Sequence, residues 1–175
     1  MFFFGHLGIG SKMAYPWRDK LPRTALLVGT ALPDLIDKPI YYSVAAVIGR
    51  DAAGQSLISG TRTFGHTLIL LIGIVLIAYL RKSRLLAALA VGITTHYLID
   101  LIGDELQLRL ALITPGTGPD GFHALLWPLL GWGFPTSTTT IFGHGTQIIS
   151  PWVFAGEVIG IGILLWDYRR RWQRG

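Results

Sequence analysis

Two apolar stretches separated by a short basic loop constrain this sequence more than any other feature. Residues 64–80 and 85–102 carry few polar side chains, and residues 81–84 (RKSR) lie between them. An α-helix needs about 20 apolar residues to cross a bilayer, and so short a loop can only join antiparallel neighbours. The sequence therefore predicts a membrane-embedded helical hairpin.

The composition also favours a membrane protein. The 175 residues are 51% hydrophobic and 14% charged, with a mean hydropathy of +0.50, which leaves little polar surface for a soluble domain. A further helix is predicted to start near residue 22 and run through residue 37, residues 40–49 are predicted to form a separate partial or interfacial helix, and residues 148–166 form the last predicted span. We predict an all-α integral membrane protein with a single domain over residues 1–175. Its expected architecture is a polytopic helical bundle with about four to five membrane-embedded helices, some shorter than a full span.

The basic residues predict an orientation rather than nucleic-acid binding. The net charge is +5, but the lysines and arginines are concentrated beside apolar segments, notably at residues 81–84 and 169–174. The positive-inside rule places both of these segments in the cytoplasm. We therefore expect a multi-pass protein of the inner (cytoplasmic) membrane with a cytoplasmic C-terminus and no nucleic-acid partner.

Polar residues within the apolar segments predict a site. His96 and Asp100 are four residues apart and share one helix face. Counting outward from the hairpin turn puts His66 at the same depth, and Asp34 and Asp37 fall at the outer end of the preceding helix. These five side chains are expected to converge at the extracytoplasmic boundary of the membrane, where ionisable groups usually serve a function.

Four other ionisable residues admit alternative interpretations. His6 interrupts an apolar N-terminal segment and is explained equally well by an interior hydrogen bond or by a ligand role. His123 and His144 suit surface or hydrogen-bonding histidines better than ligands. Glu157 lies within the last apolar segment, where a glutamate is a functional candidate or else is protonated or paired with a donor.

These residue types suit metal chemistry. The sequence has no cysteine, so a metal ion would be held by imidazole nitrogens and carboxylate oxygens, which suit zinc, manganese or iron. Such an ion lowers the pKa of bound water and stabilises charge on a phosphoryl or acyl oxygen. No serine nucleophile elbow, phosphate-binding glycine loop or His-Glu-x-x-His motif occurs.

Five short motifs resemble those of the YdjM-like family of bacterial and archaeal inner-membrane proteins, which are described as metal-dependent hydrolases. They are GHL (5–7), LPDLIDKP (32–39), RTFGHT (62–67), THYLID (95–100) and LLWP (125–128). The family is distantly similar to zinc-dependent phospholipase C, an all-helical enzyme with a cluster of metal ions. The resemblance implies one to three ions held by His6, Asp34 or Asp37, His66, His96 and Asp100. Lys38 stands where the family commonly has a histidine, and Thr61-Arg62-Thr63 where it often has His-Arg-Gly.

The resulting hypothesis is a membrane-bound metal-dependent hydrolase that cleaves a phosphoester in a lipid or lipid-linked substrate at the outer face. Asp34 or Asp37 would accept a proton, and Arg62 would bind the phosphate or else anchor a lipid headgroup. His123 and Glu157 are further candidate catalytic residues. The expected partners are membrane lipids and the substrate. Two alternatives stay open, a metal or ion transporter and a non-catalytic scaffold stapled by a metal.

Overall fold

The computed structural model describes residues 3–49, 56–109, 121–134 and 151–172, which form six α-helices and two short 3-10 turns. The helices are α1 (Phe3–Met13), α2 (Arg23–Ile48), α3 (Leu68–Arg81), α4 (Arg84–Arg109), α5 (Gly121–Leu125) and α6 (Pro151–Trp172). The turns are Tyr15–Trp17 and Phe64–His66. No strand occurs in the described ranges, so the all-helical prediction is confirmed there.

The predicted hairpin is formed by α3 and α4. The hydroxyl of Thr67 accepts a hydrogen bond from the amide of Leu70 at 3.2 Å and caps the start of α3. Lys82 then adopts a left-handed conformation (φ 49°) that ends the helix. The hydroxyl of Ser83 accepts from the amide of Leu86 at 3.3 Å in the first turn of α4. A loop of two residues between the helices makes them antiparallel.

Helix α2 differs from the prediction of two separate segments, because it runs without a break through Pro33 and Pro39. A proline inside a helix lacks the amide for one backbone hydrogen bond and displaces carbonyl groups of the preceding turn. The carbonyl of Thr30, three residues before Pro33, accepts a hydrogen bond from Nδ1 of His96 in α4 at 2.8 Å. This part of α2 is therefore held against α4, and residues 40–48 continue the same helix.

Neighbouring helices alternate in direction along the chain. Helices α2 and α4 are parallel, since Gly29 packs against Gly92 and Thr30 contacts His96 farther along both. Helices α1 and α6 are also parallel, since Glu157 contacts the start of α1 and Asp167 contacts Lys12 near its end. The bundle therefore has one end rich in histidine and aspartate and an opposite, basic end.

Glycines permit the close approach of these helices. A Cβ atom at Gly29 would overlap the carbonyl oxygen of Leu89, and one at Gly160 in α6 would overlap that of Phe4 in α1. Small residues at helix contacts of this kind are common in membrane proteins. They bring backbones close enough for side chains from different helices to share one site.

Within the part of the chain that the structure describes, one helix has the length and composition of a membrane span. Within α4, residues Arg84–Leu106 are long and apolar enough to cross a bilayer, whereas α3 is apolar but has only 14 residues. Large apolar side chains are exposed on α3 and α6, including Ile72, Leu80 and Leu165. Exposed apolar faces of this extent usually contact a membrane or a partner.

Candidate metal centre

The histidine- and aspartate-rich end of the bundle contains a buried cluster drawn from four parts of the chain. His6 comes from α1, Asp34 and Asp37 from α2, His66 from the 3-10 turn, and His96 and Asp100 from α4. His6 is 2% exposed, His66 4%, His96 0% and Asp100 7%. Together His6, His66, His96 and Asp100 form a cluster that could hold a metal ion.

His66 and His96, at the centre of the cluster, face each other with their Nε2 atoms. Nδ1 of His66 lies 2.7 Å from Oδ2 of Asp37, and Nδ1 of His96 lies 2.8 Å from the carbonyl oxygen of Thr30. Because both oxygens are acceptors, each Nδ1 donates its proton there, and a neutral ring then carries a lone pair on Nε2. These two Nε2 atoms are 3.1 Å apart. The lone pairs of two facing nitrogens repel each other unless a proton lies between them or both nitrogens bind a metal ion.

Asp100 connects the remaining members of the cluster. Its Oδ2 lies 3.5 Å from Nε2 of His66 and 3.6 Å from Nε2 of His96. Its Oδ1 accepts a hydrogen bond from Nε2 of His6 at 3.0 Å. The ring of His6 also stacks on that of His96, with centroids 4.1 Å apart. The two oxygens of Asp100 therefore face different nitrogens, as in a carboxylate that bridges groups.

The structure distinguishes the positions of Asp34 and Asp37, between which the sequence could not choose. Oδ1 of Asp34 lies 3.8 Å from Nε2 of His66, while its Oδ2 accepts from Lys38 at 2.5 Å. Both oxygens of Asp37 instead accept hydrogen bonds from the segment that carries His66. Asp34 therefore faces the cluster directly, and Asp37 supports it from behind His66.

Asp37 holds the turn that carries His66. Besides the imidazole, it accepts from the Thr63 amide at 2.6 Å, the Thr63 hydroxyl at 2.8 Å and the Gly65 amide at 2.8 Å. A Cβ atom at Gly65 would lie 2.6 Å from the carbonyl oxygen of Pro33, so the turn approaches α2 closely. The hydroxyl of Tyr97 lies 2.8 Å from the Gly65 carbonyl oxygen and donates to this turn from the other side.

Arg62 borders the cluster and pairs with two carboxylates of α4. Its guanidinium lies 3.0 Å from Oδ2 of Asp100 and forms a further hydrogen-bonded ion pair with Asp104. Burial opposes its charge, but these carboxylates outweigh burial and hold its pKa above the usual range. A cavity of about 10 Å³ lies between Arg62, His66, Tyr97 and Asp100, close to the smallest volume that holds one water.

The buried charges at this end do not balance. Four carboxylates face two basic side chains: Asp34, Asp37, Asp100 and Asp104 against Lys38 and Arg62. With neutral histidines, two negative charges are left unmatched among the described residues, and a divalent cation would neutralise them. Burial alone would lower the pKa of His66, but its hydrogen bonds to Asp100 and Asp37 outweigh burial and raise it. These surroundings favour a positive charge at this point, whether it is a proton or a metal ion.

Asp104 was not predicted as a site residue, although the sequence contained a signal for it. His96, Asp100 and Asp104 follow one another at intervals of four residues and so share one face of α4. The carbonyl of Thr30 and the hydroxyl of Thr63 left no such signal, because their roles depend on contacts between helices.

Glu157 and His123 are the other candidate residues that lie within the described ranges. The carboxylate of Glu157 accepts hydrogen bonds from the amides of Phe4 at 3.0 Å and Gly5 at 2.8 Å. These are first-turn amides of α1, so Glu157 stabilises the start of that helix next to His6. His123 lies half-buried in α5, and His144 lies outside the described residues.

Replacing Asp37 by asparagine should destabilise the protein. An asparagine presents an NH₂ group to donors that now meet a carboxylate oxygen, which leaves buried donors without acceptors. We expect the free energy of unfolding of Asp37→Asn to fall by about 1–3 kcal/mol. Asp19→Asn is the control, because its side chain is 80% exposed, and a surface change of this kind stays within about 0.5 kcal/mol. Thermal unfolding of the purified variants measures the difference, and equal stability would contradict the role assigned to Asp37.

Comparison of this chain with family models, with curated proteins and with solved structures finds no match. Membership of the YdjM-like family therefore stays a prediction from the five sequence motifs.

Proposed function

We propose that this protein is a membrane-bound metal-dependent hydrolase whose metal is held by Asp34, His66, His96 and Asp100, with His6 beside them. One observation carries the metal assignment. The Nε2 atoms of His66 and His96 face each other at 3.1 Å while both Nδ1 atoms donate elsewhere. Fixing Nδ1 through a carboxylate or carbonyl is how proteins commonly orient histidine ligands.

The spacing of the ligand atoms supports zinc. Four distances between Nε2 of His66, Nε2 of His96, Oδ2 of Asp100 and Oδ1 of Asp34 run from 3.1 to 3.8 Å. In a tetrahedral zinc site with bonds of about 2.0–2.1 Å, neighbouring ligand atoms are roughly 3.3–3.4 Å apart. Manganese and iron accept the same donors. A second ion could bind His6 and Oδ1 of Asp100 only in place of the proton that His6 now donates to that oxygen.

The chain's own residues suit phosphoester hydrolysis. A bound divalent ion would lower the pKa of water and stabilise negative charge on a phosphoryl oxygen. The guanidinium of Arg62 borders the same small cavity and matches the geometry of a phosphate. Of the two aspartates, Asp34 has an oxygen near the cluster and would serve there as a metal ligand, whereas both oxygens of Asp37 accept hydrogen bonds from residues 63–66.

A lipid or lipid-linked substrate follows from the proposed membrane setting. Helix α4 contains a candidate span, and α3 and α6 expose apolar side chains that suit contact with acyl chains. The cluster lies at the end of the bundle opposite Arg81 and Arg84. If those arginines face the cytoplasm, the cluster opens at the extracytoplasmic face of the inner membrane, at the depth of lipid phosphates.

A structural metal is the second candidate, and burial favours it. His6 and His96 are almost completely buried, and Gly121 of α5 packs against Asp104 and Arg62 over the site. An ion transporter has less support, because it requires ionisable groups through the whole depth of the bundle.

Metal content tests the cluster directly. We expect purified protein to carry about one or more divalent ions per chain, and His96→Ala and Asp100→Ala to lose at least tenfold of that content. Glu105→Ala is the matched control, since Glu105 lies on the same helix but is exposed and paired with Arg109. Mass spectrometry of bound metal measures all four proteins. No metal in the parent, or unchanged content in both site variants, would refute the metal centre.

Hydrolysis assays separate an enzyme from a scaffold. Metal-loaded protein should cleave at least one member of a panel of phospholipids and lipid pyrophosphates. Arg62→Lys should retain its metal but lose about 10²–10³-fold in turnover, because lysine cannot make a bidentate contact with the substrate phosphate. Arg109→Lys, which alters an exposed arginine, should match the parent. Absence of hydrolysis by metal-loaded protein would favour a structural metal, and ion flux in liposomes would favour a transporter.

Single-cysteine variants test the orientation cleanly, because the sequence has no native cysteine. Ser83→Cys lies in the basic loop, and Leu129→Cys lies near the cluster end at a position that is 84% exposed. A membrane-impermeant maleimide added to intact cells should label Leu129→Cys alone. Labelling of Ser83→Cys alone would invert the proposed orientation, and labelling of both would contradict a membrane-spanning bundle.

A further inference from the structure

A second cavity lies at the basic end of the bundle, far along the helices from the metal centre. Its volume is about 480 Å³, and it lies where the end of α1, the start of α2 and the end of α6 meet. Pockets that bind small molecules typically have volumes of about 300–1,000 Å³. The cavity is therefore large enough for an organic ligand, unlike the small void beside Arg62.

The polar wall of this cavity is strongly basic. Lys12, Arg18, Arg23 and Arg170 line it, and Asp167 is its one acidic member. Lys12 pairs with Asp167 at 2.7 Å. Among the described residues, neither Arg23 nor Arg170 forms an ion pair with a carboxylate. The cavity therefore carries an excess of positive charge that suits an anion.

Arg18 is held in this wall by Tyr15 and Asp19. Its guanidinium lies 3.8 Å from the ring centroid of Tyr15, which holds it in place. Its Nε is buried and makes no hydrogen bond within the described residues, although a carboxylate oxygen of Asp19 lies 3.4 Å away. The guanidinium is 32% exposed and is held against Tyr15, so it can offer donors to an anion in the cavity.

The rest of the wall is apolar. Leu26, Leu27 and Leu164 line it together with the rings of Tyr15 and Tyr168. A free anion would gain nothing from leucine side chains. A ligand with an anionic head and a hydrocarbon chain matches both the basic part and the apolar part of the cavity wall. Tyrosines at such a boundary are typical of the interface between membrane and water.

We propose that this cavity binds an anionic phospholipid, with its phosphate at Arg18, Arg23 and Arg170 and an acyl chain along Leu26, Leu27 and Leu164. The lipid belongs to the leaflet at the basic end and is distinct from any substrate at the metal centre. By contacting α1, α2 and α6 together, it stabilises the packing that places His6 and Glu157. Clusters of basic residues beside membrane helices recognise anionic lipids for the same electrostatic reason.

Native mass spectrometry of the full-length protein in detergent tests this site with phosphatidylglycerol, phosphatidylcholine and inorganic phosphate as probes. Phosphatidylglycerol should bind with the highest affinity and raise the melting temperature. Each basic residue lost should weaken this binding roughly fivefold, so Arg18→Gln/Arg23→Gln should show about a 10- to 30-fold loss. Arg170→Gln, at an exposed position, provides a second variant if the double variant fails to fold.

The matched control is Arg81→Gln/Arg84→Gln, which removes two arginines from the basic end outside the cavity. It should keep the parent's affinity. Equal affinity for phosphatidylglycerol and phosphatidylcholine, or equal loss in the control, would overturn a specific lipid site. Displacement of lipid by millimolar phosphate would show a soluble anion instead. Since only the function proposed above places the cavity in a membrane, metal content is measured in the same samples, so that failure of either assignment is seen separately.

Discussion

The buried carboxylate of Asp37 is the interaction on which the candidate site depends. Its four hydrogen bonds attach residues 63–66 to α2, although this segment has only a short 3-10 turn of its own. Through one of those bonds it also fixes the ring of His66 with Nε2 toward α4. A fully buried carboxylate is stable only when so many donors surround it. The geometry of the cluster therefore rests on a residue that does not face it.

Two backbone features position His96. The backbone carbonyl of Thr30, one turn before Pro33 in α2, is the acceptor that orients the ring of His96. Gly29 and Gly92 let α2 and α4 approach closely enough for that contact. Residues that weaken an isolated helix thus become useful once a second helix packs against it.

The sequence predicted much of the site from spacing alone. The four-residue interval in α4 and the distance of His66 from the hairpin turn anticipated that His66, His96 and Asp100 would meet, as their contacts show. It could not separate Asp34 from Asp37, because both lie near the same face of α2 and only the contact with residues 63–66 distinguishes them. The unbroken α2 was missed for a related reason, since local propensity at Pro33 and Pro39 opposes a helix that tertiary packing maintains.

The cap that Glu157 forms on α1 has a consequence for how the protein is made. His6 belongs to the first helix of the chain, yet that helix is held at its first turn by a carboxylate more than 150 residues later. During synthesis, side chains from α2, the Phe64–His66 turn and α4 can come together before α6 is made, whereas Glu157 can cap α1 only once α6 has been synthesised. In a nascent chain that lacks α6, the first turn of α1, next to His6, is therefore not capped by Glu157.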